Sequence, residues 1–124
     1  MATDNVKDDL SDSVLQAVFE VSRTLKTGFL EKVYEKALVY ELQSRGFAVA
    51  AQVPVPVFYK NVCVGDYYAD IVVDATLMIE LKCVRQFAGE HLAQCLHYLY
   101  ASGLKTCLLV NFQNAKVDWR RISF

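Results

Sequence analysis

The stretch from residue 77 to residue 111 limits the possible folds more than any other part of the chain. A strand-like segment over 77–84 leads to Gly89, a helical segment over 90–102 closed by Gly103, and an apolar run over 106–111. A helix between two strands brings the chain back to the end where it started, so the two strands pair in parallel through a crossover. The run 106–111 shows no polar alternation, as expected of a strand buried on both faces. The chain must therefore build a covered, central sheet.

The segments before that unit supply its neighbours. Val14, Leu15, Val18, Phe19, Ser22 and Leu25 repeat at i, i+3, i+4, i+7, which predicts a first helix capped by Ser11 or Ser13. Thr27-Gly28 breaks it. A second helix is predicted over about 29–44, with Leu30, Val33, Tyr34, Ala37 and Leu38 as its apolar stripe and Gly46 as its terminator. From Phe47 the period falls to two. Residues 48–59 read as an edge strand, or two short ones, because Pro54 and Pro56 are barred from the middle of a sheet. Strands over 63–73 and 77–84 meet at a turn of Asp74-Ala75-Thr76, and a last strand covers 116–122. The predicted order is α-α-β-β-β-α-β-β, an α/β domain.

With 124 residues and no linker or repeat, the chain suits one domain with one core, its first ten residues a frayed, disordered tail. The start is acidic, without the basic and apolar regions of a signal peptide, and no stretch is apolar enough for a membrane span, so cytoplasm is the expectation. Cys63, Cys83, Cys95 and Cys107 form no CxxC pair or Cys/His cluster, which argues against zinc and for reduced thiols. His91 and His97 do not share a helical face, and Trp119 with Arg120-Arg121 reads as strand-end surface or as a contact to a nucleic-acid backbone. The net charge of −1 carries no global basic signature; residues 1–12 hold four Asp and one Lys, so the remainder is +2.

The chemistry concentrates in Tyr68-Ala-Asp70 and Glu80-Leu-Lys82. With the turn centred on Ala75, cross-strand partners sum to 150, which sets Asp70 opposite Glu80 and Tyr68 opposite Lys82. Opposed residues share a face with Cβ atoms about 5 Å apart, and Lys82 follows Glu80 on that face. Facing carboxylates repel, and Mg²⁺ or Mn²⁺ would relieve the repulsion. Lys82 could then orient water or stabilise a phosphoryl oxygen. The spacing by itself also suits a solvent-facing hairpin with a weak Glu–Lys pair.

Further segments carry a resemblance. Gly28-Phe-Leu-Glu31-Lys-Val-Tyr34, Gln52-Val-Pro54-Val-Pro56, Val64-Gly65-Asp66, Ile79-Glu80-Leu81-Lys82, Gln94-Cys-Leu-His-Tyr98 and Leu108-Leu-Val-Asn111 stand in the order seen in the GxxExxY proteins, a branch of the PD-(D/E)XK nuclease-like superfamily. The chain resembles that family from about residue 12 to its end. Cys107 stands where a glycine is usual, and Tyr68-Ala69 replaces an Arg-containing pair, which weakens any grip on phosphate beside the metal.

The resemblance implies a restriction-endonuclease-like three-layer core, a mixed sheet flanked by helices. It implies Asp70 and Glu80 as metal ligands with the backbone carbonyl of Leu81, and Lys82 as the superfamily's lysine. Glu31 would be an added acid, and Gln94 and Tyr98 a Gln-x-x-x-Tyr element. Gln94 and Tyr98 also read as helix surface and core aromatic, and Tyr34 as core. The implied function is a metal-dependent nuclease on DNA or RNA; the alternative is a non-catalytic module binding nucleic acid or protein. A homodimer is expected, since a domain this small offers little surface for a duplex.

Overall fold

A computed structural model describes residues 2–3 and 9–124. Its elements are β1 (Ala2–Thr3), α1 (Asp9–Leu25), α2 (Glu31–Ser44), β2 (Val49–Tyr59), β3 (Val62–Val73), β4 (Leu77–Lys82), α3 (Gly89–Ser102), β5 (Thr106–Asn111) and β6 (Asp118–Ser123). The strands form one mixed sheet in the order β1-β6-β5-β4-β3-β2. Beyond the two-residue β1, which pairs with β6, the element order is the one predicted. β4 and β5 pair in parallel through α3, and β2 lies at the sheet edge with Pro54 and Pro56 in it. Among the described residues no helix is long and apolar enough to cross a membrane.

The start of the chain differs from expectation. Asp9 and Leu10 already belong to α1, and Ala2–Thr3 pair with β6; the rest of the expected tail, residues 1 and 4–8, lies outside the described residues. Ser11 does not cap the helix. It is buried in the first turn, where its hydroxyl accepts a hydrogen bond from Arg121 Nε at 3.3 Å. Asp9 and Asp12 supply the negative charge that a helix N-terminus favours.

Alternation along β4 and β5 sorts the core into two halves. Ile79, Leu81, Leu108 and Val110 join Val14, Val18, Leu38 and Leu42 of α1 and α2. Met78, Cys107 and Leu109 join Cys95, Tyr98 and Leu99 of α3. The result is three layers with the sheet in the middle, and Glu80, in step with Met78, is placed on the α3 side. No disulfide forms among the described residues: Cys95 and Cys107 are buried, Cys83 is half-buried and Cys63 is exposed.

Both hairpin turns use left-handed residues, Lys60 and Asn61 in one, Asp74 and Ala75 in the other, the geometry whose twist matches paired strands. The second turn is closed by Thr76 N–H on Val73 O at 3.0 Å. In the β3–β4 ladder Ile71 pairs with Ile79, Val72 with Met78 and Val73 with Leu77, so partners sum to 150 as predicted. The ladder then stops. Ala69 belongs to the α3-side core while Ile71 belongs to the opposite one, although both have the same parity in β3. The β2–β3 ribbon therefore turns at Asp70, opposite Gln52, whose φ is 52°.

Candidate active site

The end of the β3–β4 ladder is where the site begins. Asp70 and Glu80 do not pair through their backbones; each side chain crosses to the other strand instead. Asp70 N–H donates to Glu80 Oε2 at 2.8 Å, and Leu81 N–H donates to Asp70 Oδ2 at 2.8 Å. The carboxylates thus replace ladder bonds that the parting strands can no longer make, and each keeps a second oxygen for other work. Among the described residues Glu80 Oε1 receives no hydrogen bond, and Asp70 Oδ1 receives only a long one, 3.5 Å from Gln52 Nε2. Within a strand a residue's N–H and C=O point to the same side, so the Leu81 carbonyl faces the same gap as its N–H.

This is a demanding place for two acids. Glu80 is 3% exposed. Burial, and after it the Asp70 carboxylate, push the Glu80 carboxyl up to about 8. Asp70 is raised as well, first by burial, against the lowering effect of the Leu81 N–H. The donor set fits a hard divalent cation: two carboxylate oxygens and a carbonyl on one gap, with repulsion that a cation relieves. Among the described residues no three His, Cys, Asp or Glu side chains converge to hold a metal, so side chains alone do not complete the ligand set.

Lys82 extends from β4 toward α3. Its ammonium donates to Gln94 Oε1 at 2.9 Å, and Gln94 Nε2 donates to the Tyr98 hydroxyl at 3.2 Å. Tyr68, expected opposite Lys82, does not hold it; with the ladder ended, the lysine takes the helix amide. Gln94 and Tyr98 act together because i and i+4 share a helix face, and burial raises the Tyr98 phenol further.

Glu31 opens α2 at the rim. Partial burial and then Asp70 raise its carboxyl, while Lys82 lowers it, so it faces the same centre without joining a ligand cluster. The turns of the Gly28-x-x-Glu31-x-x-Tyr34 motif have distinct tasks. Gly28 adopts φ 110° in the α1–α2 loop, a conformation that favours glycine. Tyr34, 1% exposed, stacks on Phe112 with ring centroids 4.7 Å apart. Its hydroxyl donates to Lys26 O at 2.6 Å and accepts from Phe29 N–H at 3.3 Å. Tyr34 is core, as read from the sequence, and it fastens the loop that delivers Glu31.

Two residues escaped the sequence reading. Glu35, 6% exposed, receives Gln52 Nε2 at 2.9 Å and pairs with Lys32 at 3.1 Å. Gln52 thereby links α2 to Asp70. The available signal was the i, i+4 spacing of Glu31 and Glu35; Gln52's place opposite Asp70 depends on the β2 register. Elsewhere His91 Nδ1 accepts the Ala88 N–H at the start of α3 and His97 is exposed. Arg120 bonds Asp118 at 2.5 Å and lies over the Phe87 ring, and Arg121 is held by Ser11, so neither belongs to the site.

Two solved structures share this architecture. One is an alkaline exonuclease (LHK-Exo) from Laribacter hongkongensis, TM-score 0.50 and 14% identity; the other is LHK-Exo in complex with dAMP, TM-score 0.53 and 13% identity. In both, the alignment covers 86% of this chain and 75% of the other, a likeness of fold. A search of curated proteins gives no match. Residues 8–122 match the profile of the PD-(D/E)XK nuclease superfamily, the span that contains both crossing carboxylates and the lysine after them. With that match over nearly its whole length, the chain belongs to the PD-(D/E)XK nuclease superfamily.

Proposed function

We propose that this protein is a metal-dependent nuclease that hydrolyses phosphodiester bonds, and that it is a GxxExxY-type member of its superfamily. One observation carries the reading: Asp70 and Glu80 cross between parting strands, each with one oxygen left over, and Lys82 follows two residues on. Asp70, Glu80 and the Leu81 carbonyl would hold Mg²⁺ or Mn²⁺. Such an ion supplies charge stabilisation at phosphoryl oxygens and activates water at neutral pH.

The chain's own groups supply the rest. Lys82, held by Gln94, presents a positive charge to a phosphoryl oxygen. Tyr98 positions Gln94 and so acts through it. Glu31, whose carboxyl is raised by partial burial and then by Asp70, would accept a proton from water entering at the rim. The substrate is nucleic acid, a reading supported by the superfamily and by the dAMP held in the structurally similar exonuclease.

The test is calorimetric Mn²⁺ titration beside cleavage assays on single- and double-stranded DNA and RNA. Glu80→Ala removes a ligand, so metal affinity and cleavage fall together. Lys82→Ala leaves both carboxylates, so metal binds as well or better while cleavage is lost. If the wild type binds no metal and both variants match it in every assay, the nuclease reading fails and a binding module takes its place.

A further inference from the structure

A cleft of about 500 Å³ opens between the β2–β3 ribbon and α3. Val57, Tyr67, Glu90, Gln94, His97 and Tyr98 help to line it. Two of these, Gln94 and Tyr98, are the pair that holds Lys82, so the cleft and the proposed site share a wall. Tyr67 packs on Tyr98 with ring centroids 5.7 Å apart, yet remains 50% exposed. It presents to the cleft an aromatic surface that the described side chains leave half uncovered.

We infer that this cleft seats an unpaired nucleobase of the strand whose phosphodiester lies at Asp70, Glu80 and Lys82. The inference rests on the nuclease reading and adds to it the state of the substrate. Three features choose this occupant. The aromatic wall suits a base, which every nucleotide offers as a flat π-face. Glu90 at the rim repels phosphate, so the backbone belongs at the Lys82 end and the base at the Tyr67 end. Finally, a base within a duplex has both faces covered by its stacked neighbours, so only a base that has left the stack can lay a face on Tyr67. The cleft thus shares its Gln94–Tyr98 wall with the site and selects single-stranded or frayed ends.

The experiment compares labelled octathymidylate, an all-abasic octamer with the same phosphates and a blunt duplex. Binding is read by fluorescence anisotropy in Ca²⁺ at fixed ionic strength, and cleavage is read separately in Mn²⁺. Wild type should bind octathymidylate more tightly than the abasic strand by on the order of tenfold. Tyr67→Ala should remove that difference, Tyr67→Phe should restore it, and Ala93→Phe, at a position on α3 that also lines the cleft, should fill it and remove the difference again. The duplex should bind no better than the abasic strand. Equal binding of the octamers by wild type, or unchanged base dependence in both Tyr67→Ala and Ala93→Phe, overturns the inference even if cleavage persists. Base-dependent binding that obeys these variants without cleavage of any nucleic acid keeps the cleft and removes the nuclease reading. A concentration-dependent rise in mass that Tyr67→Ala abolishes, without base dependence, would assign the cleft to a second copy and also overturn it.

Discussion

Glu80→Gln tests the electrostatic loading of the site through stability. The variant keeps an oxygen to accept the Asp70 N–H, now 2.8 Å from Glu80 Oε2, and nearly the same volume, but it cannot ionise. In the wild type the carboxyl moves from its ordinary 4.5 to about 8 on folding, chiefly through burial. The folded state then holds this proton more tightly than the unfolded chain does. Stability from this group is full below about 4.5, declines as the pH rises and levels off above about 8. The full loss is on the order of 5 kcal/mol as an upper bound, roughly 10 °C or more in Tm for a domain of this size. Urea unfolding at pH 5, 7 and 9 without divalent ions measures it. Wild type and variant should agree within about 1 kcal/mol at pH 5, and the variant should be several kcal/mol more stable at pH 9. Taking the difference between the two proteins cancels the titrating groups that Glu80 does not influence, while Asp70, which is coupled to it, contributes to the difference. Added Mn²⁺ should recover the wild type at pH 9 and leave the variant nearly unchanged. A difference that stays constant from pH 5 to 9 would refute the reasoning.

Four further outcomes follow from the same geometry. Tyr34→Phe keeps the stack on Phe112 but loses the bonds to Lys26 O and Phe29 N–H, so it should cost about 1–2 kcal/mol in urea unfolding and spare Mn²⁺ affinity in calorimetry. Gln94→Leu removes the acceptor that holds Lys82; kcat on a cleaved oligonucleotide should fall about tenfold with metal affinity intact. Ala75→Gly relieves a φ of 54° in the β3–β4 turn and should raise Tm, by up to about 1 kcal/mol in stability; a lower Tm would contradict the turn geometry. A homodimer is proposed on the grounds of limited duplex-binding surface, and light scattering at micromolar concentrations checks it, a monomer mass counting against it.

The candidate site was legible as residue types and register, and less so as connections. Counting outward from Ala75 predicts the ladder pairs that the structure has, because a short turn leaves little freedom of pairing. Extending the same count to Asp70 and Glu80 predicts two facing side chains on an intact ladder. The strands instead part there, and each carboxylate caps the other's backbone. Tyr68 and Lys82 fail to meet for the same reason. The i, i+4 spacing of Glu31 and Glu35 was visible, but the link from Glu35 through Gln52 to Asp70 was not, since it joins residues far apart in sequence across three elements.

Local rules were enough for the elements themselves. The switch of period at Phe47, the stops at Gly46 and Gly103, the prolines of the edge strand and the unbroken apolar run of β5 are each set by neighbours a few residues away, and they define the α-α-β-β-β-α-β-β order. Where α1 begins was decided by a partner 110 positions away, Arg121, which draws Ser11 inward. The turn of the ribbon at Asp70, the protonation of Glu80 near neutrality and the cleft beside Tyr98 were likewise decided by packing: each depends on which side chains the folded sheet and its two helical layers press together, and on how much water they exclude from charged groups.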